Sequence, residues 1–75
     1  MKSKTTATLT VVATGPEADF DGFDEVPVWT VAVEDDDGEV VGKVFSVRSR
    51  AAARELMVKM GRDRGFPTHD DTMPA

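Results

Sequence analysis

Seventy-five residues with no cysteine make one domain at most, and they exclude disulfides, thiolate metal sites and a cysteine nucleophile. Hydrophobic residues at 40% against charged residues at 31% fit a folded domain rather than a disordered chain, with a core built by packing alone or helped by self-association. The net charge of −5 conceals a segregation: residues 15–40 hold ten acids and no base, whereas residues 41–64 hold seven bases and two acids.

The first segment, "MKSKTTATLTVVAT", carries two lysines, but its threonines interrupt any apolar run of signal-peptide length. No later stretch approaches the length of a membrane span. A soluble, cytoplasmic protein without membrane contact is therefore expected. Residues 5–14 alternate, with Ala7, Leu9, Val11 and Ala13 on one face and mostly threonine on the other. Period two with β-branched residues marks a half-buried strand, which Gly15-Pro16 is expected to end. A crossing loop of about 13 residues then follows. It contains "EADFDGFDE", in which Phe20 and Phe23 sit among five carboxylates.

A second strand is expected from Val26 or Val28 to Glu34, with Trp29, Val31 and Val33 on one face and Pro27 at its entrance. "EDDDGEV" is a hairpin signal, because Asp-Gly tolerates positive φ between two hydrophobic runs. The third strand, about Val40 to Val47, alternates less cleanly: Val41, Phe45 and Val47 share a face with Lys43, while Val44 points away. A bulge near Gly42 would reconcile this pattern.

Ser49 is placed to cap a helix over "RAAARELMVKMGRDRG". Ala53, Leu56, Met57 and Met60 form its buried stripe, and Glu55 with Lys59 an i,i+4 pair on the solvent side. Gly61 or Gly65 is the expected stop. The fold class is then α+β, a three-stranded antiparallel sheet (β-β-β-α) with one C-terminal helix on one face. Residues 1–65 make the domain, and residues 66–75 a flexible tail.

No motif carries catalysis. Glu17, Asp19, Asp21 and Gly22 match the first, third, fifth and sixth positions of an EF-hand loop, but Val28 stands where a bidentate glutamate is needed. In "VEDDDG" the first ligand position is Val33. The single histidine, His69, lies in the tail without a companion at metal spacing. Exposed aspartates on turns position no substrate, and no glycine loop shaped for phosphate is present. No enzyme activity, metal or cofactor is expected.

Two binding readings remain. The helix offers Arg50, Arg54, Arg62 and Arg64 to phosphates. Their bland alternative is pairing with the protein's own acids. The acidic half offers Asp19, Asp21, Asp24 and Glu25 in one cluster and Glu34, Asp35, Asp36, Asp37 and Glu39 in another, with Phe20 or Phe23 as an aromatic anchor or a core lid. In a simple meander these clusters sit at opposite ends of the second strand, roughly 20–25 Å apart. That is a length over which a duplex displays a row of phosphates.

A very small, cysteine-free, acidic α+β chain without an active site resembles the phage-encoded inhibitors called anti-CRISPR proteins. The resemblance lies in the general character of residues 1–65 and carries no residue assignments. It implies a non-enzymatic inhibitor in the cytoplasm of a bacterial host, docked on a basic nucleic-acid-binding surface such as that of a CRISPR surveillance complex. A homodimer, with one copy's basic helix against another's acidic loops, is a further expectation.

Overall fold

In the computed structural model, which describes residues 8–22 and 24–74 with the side chains of Phe20 and Asp21 excepted, the chain forms five elements. They are β1 (Thr10–Asp21), β2 (Asp24–Glu34), β3 (Val40–Val47), α1 (Arg50–Arg64) and β4 (Thr68–Thr72). The α+β class stands as expected, but the sheet has four strands rather than three, in the order β3-β2-β1-β4. It is also mixed, because β4 runs parallel to β1 while the other neighbours are antiparallel.

Alternation built the helix-facing side of the sheet as its spacing dictates. Val11 and Ala13 of β1 pair with Val33 and Val31 of β2. These four residues, with Trp29, meet Ala53, Met57 and Met60 of α1 in one buried cluster, and Leu9, Val47, Leu56 and Phe66 close its rim. Fully burying one such aliphatic side chain contributes roughly 1.5–3 kcal/mol. On the opposite face the Thr14 and Thr30 hydroxyls share a hydrogen bond of 2.8 Å across paired positions.

The helix ends are satisfied locally. Ser49 Oγ accepts from the Ala52 N–H at 3.0 Å, and Gly65 takes a left-handed conformation at φ 72°. That turn lets the Phe66 N–H reach back to the Gly61 carbonyl at 2.9 Å, the closing bond of a Schellman motif. Arg62 and Arg64 fall in the last turn, where cations suit the helix dipole. Lys59 pairs with Asp63 at 3.7 Å rather than with Glu55. The loop Asp36-Asp37-Gly38 joins β2 to β3 as the Asp-Gly signal indicates, and β3 shifts register across Gly42, opposite Val31 to Val33.

Two expectations are corrected. Gly15-Pro16 does not end β1: a one-residue bulge between Thr14 and Glu17 takes up the proline, and the strand runs on to Asp21. The supposed crossing loop is therefore a β-hairpin. Residues 68–72 are not a loose tail but the fourth strand, held by backbone bonds from Val11 N–H to the Pro67 carbonyl and from Met73 N–H to the Gly15 carbonyl, both 2.9 Å.

Gly61 is buried in α1 because β4 crosses close to it. A Cβ there would lie 2.5 Å from Thr68 Cγ2 and 3.0 Å from the Phe66 carbonyl oxygen. In an exposed helix Gly→Ala stabilises by about 1 kcal/mol, whereas forcing extra volume into a packed contact costs about 1–3 kcal/mol. Gly61→Ala is therefore expected to lower the melting temperature by about 5 °C or more, as read by circular dichroism. An increase would show that β4 does not press on this turn.

Candidate binding surface

The strand register decides where the acids go. Odd-numbered residues of β2 (Trp29, Val31, Val33) face the helix, so their β1 partners Val11 and Ala13 do too. Past the bulge, Glu17 pairs with Val28 and Asp19 with Val26. One inserted residue has therefore moved the alternate acids of β1 onto the face away from the helix.

The hairpin that carries them stands apart from the body. Partner β4 reaches only Val11 to Gly15 on β1, and β3 reaches only Trp29 to Glu34 on β2. The five residue pairs from Glu17–Val28 to Asp21–Asp24 thus form a two-stranded arm, roughly 15 Å long, with no third strand among the described residues. Glu17, Asp19, Asp24 and Glu25 are all exposed on the arm. Between its strands lies an open depression of about 280 Å³, lined by Pro16, Glu17, Ala18, Glu25, Val26 and Pro27. Its lining joins the apolar Pro16, Ala18, Val26 and Pro27 to Glu17 and Glu25, which the register places on opposite faces of the hairpin.

The second acidic group is only partly available. Asp35 Oδ1 accepts the N–H groups of Asp37 and Glu39 at 2.9 and 3.0 Å, so this carboxylate shapes its own turn. Asp36 Oδ1 accepts the Thr8 N–H at 3.1 Å. Glu34 is half-buried at the end of β2, whereas Asp37 and Glu39 are exposed. Six residue steps along β2 separate Glu34 from the base of the arm at Val28 and ten from its tip at Asp24, so the clusters lie roughly 20–30 Å apart, a range that includes the expected spacing. Phe23, and the side chains of Phe20 and Asp21, lie outside the described residues. Among the described residues no three acidic or histidine side chains converge as a metal site requires, and no helix is long and apolar enough to cross a membrane.

The arginines divide in the same way. Arg50 Nε donates to Thr72 Oγ1 at 2.9 Å, and the Thr72 hydroxyl in turn donates to Asp70 Oδ1 at 2.6 Å. Arg54 Nε pairs with Asp70 Oδ2 at 2.8 Å. Two of the four candidate phosphate contacts thus hold β4 against the helix, while Arg62 and Arg64 remain exposed. Nothing in the composition of "THDDT" announced this role, although the Asp21-Gly22 dipeptide was an available signal for the arm's turn. Comparison of the chain with protein-family models, with curated proteins and with solved structures found no match.

The Thr72 hydroxyl, the Thr72 N–H, and then Arg54 and Arg50 hold the Asp70 carboxyl below its ordinary range, against an opposing desolvation. With the folded value below the unfolded one, the stabilisation is complete above the unfolded value and is lost as pH falls through the folded value. Asp70→Asn is therefore expected to flatten the acid limb of stability against pH. Variant and parent should differ most near neutrality and converge in acid, as followed by urea unfolding. A constant gap across that range would mean that the ionised carboxylate is not what holds the strand.

Proposed function

We propose that this chain is a non-enzymatic binding protein whose acidic β-arm occupies a basic, nucleic-acid-binding surface of a protein target, acting as an inhibitor of the anti-CRISPR type. The observation that carries the reading is the arm itself: a projecting hairpin with exposed Glu17, Asp19, Asp24 and Glu25 and with no lysine or arginine on either strand. A hairpin without lateral partners exposes both faces, so it can enter a cleft that a flat sheet face cannot. Asp37 and Glu39, at the far end of β2, extend the negative field and orient the approach. Charge spacing along the arm is sparser than the phosphate row of a duplex, one charge per ~1.7 Å of axis. The mimicry is therefore local, with steering by charge and anchoring in the depression between Pro16 and Pro27.

The competing reading, direct contact of the arginine helix with nucleic acid, is weakened by the commitment of Arg50 and Arg54 to β4.

Affinity capture with the tagged protein, from a bacterial lysate containing a CRISPR surveillance complex and treated with nuclease, tests the proposal. A captured nucleic-acid-binding protein should be released by duplex DNA or heparin. It should bind the variant Glu17→Gln, Asp19→Asn, Asp24→Asn, Glu25→Gln at least about tenfold more weakly, since a close charge pair across an interface is worth ~1.5 kcal/mol or more. Asp35 is left intact because it shapes its own turn. Unchanged capture by the neutral arm would remove the arm from the interface. Recovery of nucleic acid alone, lost on nuclease treatment, would return the function to the helix.

A further inference from the structure

The two edges of the sheet are treated very differently. At one edge β4 reads "THDDT", with its polar and charged side chains exposed apart from Thr72. Such charge is the usual protection of a free edge. At the other edge β3 reads "VVGKVFSV", and every residue but the last is exposed. Val40, Val41, Val44 and Phe45 are 47%, 44%, 52% and 37% exposed, and Lys43 is the one charged side chain of the strand.

Two causes combine to leave this edge bare. The helix lies mainly over β1 and touches β3 least, so Val41 and Phe45, although on the helix-facing side, are not covered. Among the described residues, no strand lies beyond the outward N–H and C=O groups of β3. A core whose largest fully buried side chains, among the described residues, are Val11 and Val31 gains the most from an added apolar surface.

We propose that β3 pairs antiparallel with β3 of a second copy of this chain, joining the two sheets into one across a two-fold axis that passes between residues 43 and 47. Charge selects the second copy as occupant. The start of β3 follows Asp36, Asp37 and Glu39, and its end leads into Arg48 and Arg50. Antiparallel self-pairing lays each acidic start beside the other copy's basic end, twice by symmetry, whereas parallel pairing sets like charges together. Val44 and Phe45 come to the axis, where the exposed apolar surface of one copy covers that of the other. The register shift spans residues 42–44, so the axis falls at Phe45, where the regular ladder with β2 resumes and runs on to Val47. The acidic arm lies beyond the reach of β3 and stays free, so the dimer does not depend on the function proposed above.

Sedimentation of the full chain across concentration, in low and in high salt, reads the association. A dimer weakened by salt is expected. Val44→Lys should raise its dissociation constant at least about tenfold while retaining a cooperative melt. Glu39→Lys and Arg48→Glu should each weaken self-association, and an equimolar mixture of the two variants should associate again. Both variants remain net acidic, so general charge attraction cannot produce that recovery. A monomer at high concentration and low salt would overturn the proposal. So would a dimer indifferent to Val44→Lys, or a mixture of the charge variants that stays monomeric.

Discussion

The structure turns on Gly15. Its φ of 134° is closed to most side chains, and a Cβ there would lie 2.8 Å from Trp29 Cδ1. This position therefore admits the indole against bare backbone. The same residue's carbonyl accepts the Met73 N–H, and its place in the bulge resets the phase of β1. Three consequences meet at one residue: the large side chain that fills the core, the docking of the last strand and the face on which the arm carries its acids.

From there the charge pattern acquires a meaning that a count of acids and bases lacks. Asp35 is spent on a turn, Asp36 on the Thr8 N–H and Asp70 on Arg54 and Thr72. Exposed carboxylates cluster on the arm and on the β2–β3 hairpin, with Glu55, Asp63 and Asp71 scattered among the bases of the helix and on β4. The free arginines lie at the far end of the helix. Segregation in the sequence has thus become segregation in space, with part of each charge group consumed in holding the fold.

How much of this was legible follows from the kind of force involved. Hydrophobic period identified the first two strands and most of the helix stripe, since Val11, Ala13, Trp29, Val31, Val33, Ala53, Met57 and Met60 are all buried, with Leu56 only partly so. Short polar signals found the Ser49 cap and the turn at Gly38. Strand β4 escaped because its attachment is backbone bonding and a polar network, neither of which leaves an apolar rhythm in "THDDT". The extension of β1 escaped because Gly-Pro reads as a terminator unless a bulge takes up the missing donor, and a bulge depends on the partner strand. The acidic region was conspicuous by composition, but its shape required the register.

One contact has an optical consequence. Trp29 is the single tryptophan, and its indole N–H donates to the Met73 carbonyl at 3.0 Å while the ring lies over Gly15. Its emission therefore reports the docking of the C-terminal strand, and no added label is needed. Local release of that strand would wet the ring and free its N–H before the rest of the core opens. The wavelength would then shift while the helical signal persists, so that the peeling of one edge can be timed apart from global unfolding.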